Sequence, residues 1–171
     1  MKVTIIGGGA YALGLSFMFH ENTNEITIYS KVKEEIEALK KYRKNDQYLK
    51  DIIIYDDILL TTNLEEAITD SDLIVIAVAT RYIESICQEI RKYYQKQHLL
   101  IASKGIDQNK LLFASNIVKS IINTDRIAVI SGPTFAMDLA NKQICGLALA
   151  SHSQETTYVV KTTLENHYLK L

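Results

Sequence analysis

Three stretches of this 171-residue sequence carry residue types suited to holding a charged ligand. Gly7-Gly8-Gly9-Ala10-Tyr11-Ala12 follows the short apolar run Val3 to Ile6. Ser103-Lys104-Gly105 follows Leu99 to Ala102, and Ser131-Gly132-Pro133-Thr134-Phe135-Ala136 follows Ile127 to Ile130. In each, an apolar run gives way to glycine, a hydroxyl or a cation. Glycine lets backbone N–H groups come close to an anion, and lysine is a compact three-donor cation. Together these residue types suit a phosphate-bearing molecule.

The first stretch reads Gly7-x-Gly9-x-x-Ala12, opening a helix from Ala10 to Phe19. A strand, a glycine turn and a helix within twenty residues form the layout of a dinucleotide-binding βαβ unit. Gly7 allows the tight turn, Gly9 leaves room for a pyrophosphate, and Ala12 lets the helix lie against the strand. The helix start then offers free N–H groups and the positive end of its dipole. A glycine-rich turn of an unrelated α/β protein has the same letters; the position directly between strand and helix favours the nucleotide reading.

The other candidates each have a plainer alternative. At the end of the second strand an Asp or Glu would bind a ribose 2′-OH, but the sequence there is Tyr29-Ser30-Lys31. Ser30 and Lys31 suit a 2′-phosphate, which slightly favours NADP(H) over NAD(H); a solvated lysine at a helix start is the alternative. Lys104 is either a cation over the cleft or an ordinary loop lysine. Ser131 to Ala136 either holds an anion with its N–H groups and the Thr134 hydroxyl or is a simple helix start. Tyr11 is either at the edge of the cleft or a packing residue.

The elements that must position these groups alternate along the whole chain. Strands are expected at Lys2 to Ile6, Glu25 to Ser30, Ile52 to Tyr55, Ile58 to Thr61, Leu73 to Val78, His98 to Ser103, Ile127 to Ile130, Cys145 to Ala150 and His167 to Leu171. Helices are expected at Val32 to Arg43, from Thr62 or Asn63 to Ala67, and at Tyr82 to Tyr94, Lys110 to Ile122, Thr134 to Asn141 and Gln154 to Leu164. That order predicts an α/β fold: a Rossmann-like, doubly wound, mostly parallel sheet in a single domain spanning residues 1–171. In such a sheet ligands lie outside the carboxyl ends of the strands, where all the candidate stretches fall.

Composition narrows the partners. A hydrophobic fraction of 47% suffices for a real core, and a formal net charge of -1 gives no general attraction to nucleic acid or an anionic membrane. The longest apolar run, Leu73 to Ala79, is far too short to span a bilayer, and the leading strand leaves no room for a signal peptide. Cys87 and Cys145 are far apart and read as buried thiols of a cytoplasmic protein. The four histidines show no metal-ligand spacing, so no metal is expected.

Gly7-Gly8-Gly9-Ala10-Tyr11-Ala12, Tyr48-Leu49, Ser103-Lys104-Gly105-Ile106-Asp107 and Ser131-Gly132-Pro133-Thr134-Phe135-Ala136 occur in an order and spacing that resembles the N-terminal domain of bacterial NAD(P)-dependent glycerol-3-phosphate dehydrogenase. The resemblance covers the whole chain but about half of the family's length. It implies reduction of dihydroxyacetone phosphate to sn-glycerol 3-phosphate for glycerophospholipid synthesis, with a general acid protonating the developing alkoxide. It implies cofactor contacts at Gly7, Gly9, Ala10, Tyr11, Ala12, Lys31, Lys104 and Ala136, and substrate contacts at Lys104, Gly132 and Thr134. It also implies a following helical domain with the catalytic lysine, an aspartate and an Arg-Asn pair, and a possible homodimer of the full-length enzyme. None of those catalytic groups maps onto these 171 residues, so the chain alone is expected to be inactive, as one domain of a longer protein or a truncated product. Two departures stand out: Ala10 replaces a usual serine, and Ala79 a usual proline. The rival readings are a dinucleotide-sensing module without turnover and another two-domain hydroxyacid-type dehydrogenase.

Overall fold

The computed structural model describes residues 1–171. Six parallel strands form the sheet: β1 (Lys2–Ile6), β2 (Glu25–Tyr29), β3 (Leu59–Thr61), β4 (Leu73–Ile76), β5 (His98–Ile101) and β6 (Ile127–Ser131). A further strand, β8 (Ala148–Ser151), closes one edge antiparallel to β6. The spatial order is β3-β2-β1-β4-β5-β6-β8, and the two-residue strands β7 (Cys145–Gly146) and β9 (Leu169–Lys170) pair separately. The order reverses between β1 and β4. A crevice therefore opens at their carboxyl ends, the switch point of a doubly wound sheet.

Side chains on the central strands alternate between two cores. Val3, Ile5, Leu73, Val75 and Leu100 face one side, where α1 (Ala10–His20), α6 (Ala136–Ala140) and α7 (Gln154–Leu164) pack. Ile6, Ile74, Ile76, Leu99 and Ile101 face the other, covered by α3 (Leu64–Thr69), α4 (Ile83–Arg91) and α5 (Ala114–Ile122). The alternation is the period of two that a strand imposes, and burial on both faces explains why these strands are apolar throughout. Helix α1 is buried along Ala12 to Phe19, because it lies between the sheet and α6. Gly14 permits this: a Cβ there would stand 2.7 Å from the Ala136 carbonyl oxygen. By contrast α2 (Lys33–Tyr42) buries only Ile36 and Leu39. Asn63 caps α3 by accepting from the Glu66 N–H. No helix is long and apolar enough to cross a membrane.

Several expected elements differ. Ile52 to Tyr55 forms no strand, because Arg43 closes that loop: its carbonyl accepts from the Ile54 N–H and its guanidinium donates to Tyr55 and Ile58 carbonyls. The helix expected from Lys110 starts only at Ala114. Asp107 Oδ1 takes the N–H groups of Asn109 and Lys110, and Leu111 sits at φ 53°, exposed. The strand Cys145 to Ala150 is split at Leu147, whose N–H donates to the Lys170 carbonyl. Cys87 is buried, and burial pushes its thiol up to about 12, but Cys145 is only partly buried. Val32, expected as the first residue of its helix, is instead the exposed N-cap of α2.

Candidate functional site

The crevice is built first by the turn after β1. Gly7 sits at φ +130°, and its N–H donates to the Tyr29 carbonyl at 2.7 Å. A Cβ there would lie 2.7 Å from the Ala77 carbonyl, so only glycine lets β1 and the loop after β4 approach this closely. Gly9 is different. Its backbone is ordinary extended chain, φ -74° and ψ 172°, and a Cβ would meet nothing within 4 Å. It stands at the N-cap of α1 with no side chain to cap the helix. The first-turn N–H groups, at Ala10, Tyr11 and Ala12, have no helical partner by the geometry of any helix start. Open space, free donors and a dipole end together suit an anion.

From Gly9 the crevice runs in two directions. One arm, a groove of 1140 Å³, reaches past Gly7, Gly8, Tyr29, Ser30 and Lys31 toward Tyr82 and Glu89. The other, 380 Å³, is lined by Ala10, Tyr11, Ser103, Lys104, Thr134 and Ala136. Both share Gly9 and Ala77 to Ala79. The long arm and the short arm thus meet at the glycine turn, as the two halves of a dinucleotide would across a switch point.

The short arm is held by a network centred on Lys104. Ser103 Oγ donates to the Val78 carbonyl at 2.6 Å and Thr80 Oγ1 to the Lys104 carbonyl at 2.6 Å. These bonds fasten the loop after β5 to the loop after β4. The Lys104 ammonium then donates to the carbonyls of Gly132, at 3.0 Å, and Thr134, at 3.4 Å. It lies 5.2 Å from the centre of the Tyr11 ring, and the Tyr11 hydroxyl bonds the Thr134 hydroxyl at 2.9 Å. Burial raises the Tyr11 pKa, with the Thr134 bond opposing, so the phenol stays protonated at neutral pH. Lys104 is not among the residues in ion pairs, and an ammonium has three donors, so one is left for a ligand.

Most of the sequence candidates converge. Gly7, Gly9, Ala10, Tyr11, Lys104, Thr134 and Ala136 line the crevice, and Gly132 joins through its carbonyl. Ala12 is fully buried and lets α1 pack, as its small size implied. The turn from Ser131 differs in kind. The Thr134 N–H is taken by the Gly132 carbonyl, and α6 starts only at Ala136. The turn offers carbonyls to Lys104, so it orients a cation.

The end of β2 also differs. Ser30 is buried, accepts from the Val32 N–H at 3.2 Å and donates to Glu35 Oε2 at 2.5 Å. Its one proton is therefore spent on a carboxylate and is not free for a 2′-phosphate. Lys31 lies exposed on the groove. Sequence reasoning missed Glu35, because it is carried by the first turn of α2 and not by the strand. It missed Gly14 for the same kind of reason, since only the packing shows that α6 presses on it.

The comparisons with known proteins agree with this geometry. The family model described as NAD-dependent glycerol-3-phosphate dehydrogenase N-terminus matches residues 2–157. A glycerol-3-phosphate dehydrogenase (NAD(P)+) of Ehrlichia chaffeensis is 29% identical over 175 residues, covering 100% of this chain and 54% of that protein. One from Fusobacterium nucleatum is 27% identical, covering 97% and 50%. A crystal structure of glycerol-3-phosphate dehydrogenase from Coxiella burnetii superposes with a TM-score of 0.91 at 16% identity, covering 99% of this chain and 52% of that one. The chain spans about half the length of the curated relatives it matches. With a Rossmann-like sheet, an open glycine turn at its switch point and a family match across nearly its full length, the chain belongs to the NAD-dependent glycerol-3-phosphate dehydrogenase N-terminal family.

Proposed function

We propose that residues 1–171 form the dinucleotide-binding half of an enzyme that reduces dihydroxyacetone phosphate to sn-glycerol 3-phosphate, in the cytoplasm and for glycerophospholipid synthesis. The observation that carries this is the crevice itself: two arms joined at Gly9, with Lys104 free to donate at the end of one. The pyrophosphate lies on the N–H groups that open α1, where Gly9 leaves room for it. The adenosine occupies the long arm and the nicotinamide the short one. When bound, the reduced nicotinamide supplies the reducing equivalents.

What this chain's own residues do follows from their positions. Ala10, Tyr11 and Ala136 line the cofactor side of the short arm, and Thr134 its substrate side. The carbonyls of Gly132 and Thr134 aim the Lys104 ammonium, so its third donor meets the substrate's phosphate or carbonyl oxygen. Charge developing on that oxygen is stabilised by a cation already oriented, at no further reorganisation cost. The proton for the alkoxide comes from groups outside these 171 residues. Lys31 at the rim favours NADP(H), and Glu35 opposes it. A homodimer of the full-length enzyme remains part of the proposal by resemblance alone.

The consequence is that the 171-residue chain binds a nicotinamide dinucleotide without turning it over. Calorimetric titration with NADH should give saturable binding, while dihydroxyacetone phosphate causes no steady oxidation. Oxidation clearly above that of a Gly9→Asp control would overturn the inactivity. Absence of binding would overturn the dinucleotide reading of the crevice.

A further inference from the structure

The long arm of the crevice carries a carboxylate where a dinucleotide's adenosine ribose must pass. Glu35 projects from the first turn of α2 back to the end of β2, receiving the Ser30 hydroxyl proton on Oε2 at 2.5 Å. It also lies against the glycine turn. A Cβ on Gly8 would stand within 3.0 Å of Oε1 and closer still to the rest of the carboxylate. The absent side chain at Gly8 is thus the space that Glu35 fills. An acid at the end of the second strand would reach this same place, between strand end and glycine turn, to accept the ribose hydroxyls. Here the strand ends at Tyr29 with Ser30 just past it, and an acid six residues after Tyr29 is folded back to stand there.

We propose that Glu35 is the specificity-determining residue of the cofactor site: it accepts the adenosine ribose hydroxyls, and it makes the chain select NAD(H) over NADP(H). This rests on the dinucleotide reading of the crevice. Ser30 fixes Oε2 and leaves Oε1 free to accept. A 2′-phosphate placed there meets a carboxylate instead of a donor, and Ser30 has no proton left to give it. The wider electrostatics agree. The groove is lined by three carboxylates, Glu35, Glu65 and Glu89, against one cation, Lys31. Glu89 is held below the usual carboxylate range by Lys92 first, with Lys31 the smallest contributor.

The test is the ratio of NADPH to NADH dissociation constants at one fixed ionic strength, for the unmodified chain, Glu35→Gln and Glu34→Gln. Charge-assisted hydrogen bonds of this kind set a preference of about tenfold or more, so NADH should bind at least that much more tightly. Glu35→Gln should bring the ratio close to one, chiefly by tightening NADPH, with the melting temperature nearly unchanged. Glu34→Gln alters an exposed charge on the same turn and should leave the ratio where it was. Equal or tighter NADPH binding by the unmodified chain overturns the proposal. So does an unchanged ratio in Glu35→Gln, or an equal shift in Glu34→Gln. Failure of both dinucleotides to bind overturns instead the reading of the crevice on which it rests.

Discussion

Gly9→Ala separates the fold from the site more cleanly than any other single change. Three effects on stability can be weighed. The added methyl meets no atom within 4 Å, so there is no clash. The backbone at φ -74° and ψ 172° is open to any residue, and replacing glycine there restricts the unfolded chain, a gain of about 0.4–1 kcal/mol. Alanine is a poorer N-cap than glycine, a loss of about 0.5–1 kcal/mol. The last two cancel to within ~0.5 kcal/mol, or about 1–2 °C for a chain of this size. Binding is another matter. The methyl occupies the space through which a pyrophosphate reaches the N–H groups of the α1 start. Losing one such charge-assisted contact costs about 1.5–3 kcal/mol, a weakening of roughly tenfold to a hundredfold. Thermal unfolding and calorimetry with NADH on the same preparation read both quantities. Gly7→Ala is the counterpart: its methyl would sit 2.7 Å from the Ala77 carbonyl at a φ of +130°, so it should lose stability outright. A Gly9→Ala chain that binds NADH as well as the unmodified one would refute the reasoning, and so would one that melts several degrees lower.

Three further outcomes follow from the same structure. Gly14→Ala should lower the melting temperature: helix propensity gains about 1 kcal/mol, but overpacking against the Ala136 backbone costs about 1–3 kcal/mol, and backbone cannot swing aside; a higher melting temperature would contradict this. Lys104→Met, in a protein with the family's full length, should cut kcat/KM at least about a hundredfold while stability changes by less than ~1 kcal/mol; near-native kinetics would remove Lys104 from the site. His98 is buried at the base of the sheet, and burial, then Arg126, lowers its pKa from 6.5, with Glu155 and Asp72 opposing. Its neutral form is the folded one, so stability is full above about pH 6.5 and is lost as pH falls through the lowered value. His98→Gln should flatten that loss in denaturant melts, and an unchanged pH profile would mean another group controls it.

Local rules sufficed where one face or both faces of an element were plainly apolar. The run Leu73–Ile76 is a central strand because all four side chains are buried, two on each side of the sheet. Gln154–Leu164 is bounded by a serine cap, with Ser153 Oγ accepting from the Thr156 N–H. The site was legible to the extent that its groups follow strands directly, as Lys104 does. Where a distant side chain supplied the decisive bond, the sequence misled. Asp107 delays α5 by taking two N–H groups, and Arg43 holds the segment around Ile54 in a loop despite its β-prone residues. Glu35 is the clearest case. Its spacing places it on a helix, and only the folded chain shows its carboxylate over Gly8 and on Ser30.

A second groove, of 520 Å³, lies at the opposite end of the strands, between Lys2, His20, Asp57 and Asp70. It gives the central claim a direct contest. Amide chemical shifts of the 171-residue chain, followed during titration with NADH, report which end of the sheet the dinucleotide occupies. The carboxyl-end crevice predicts saturable shifts at Gly8 to Ala12, Val78 to Thr80, Lys104 and Thr134 to Ala136, with Thr23 to Glu25 and Asp70 to Asp72 unmoved. Shifts confined to the amino ends of the strands, or none at saturating NADH, would contradict the account.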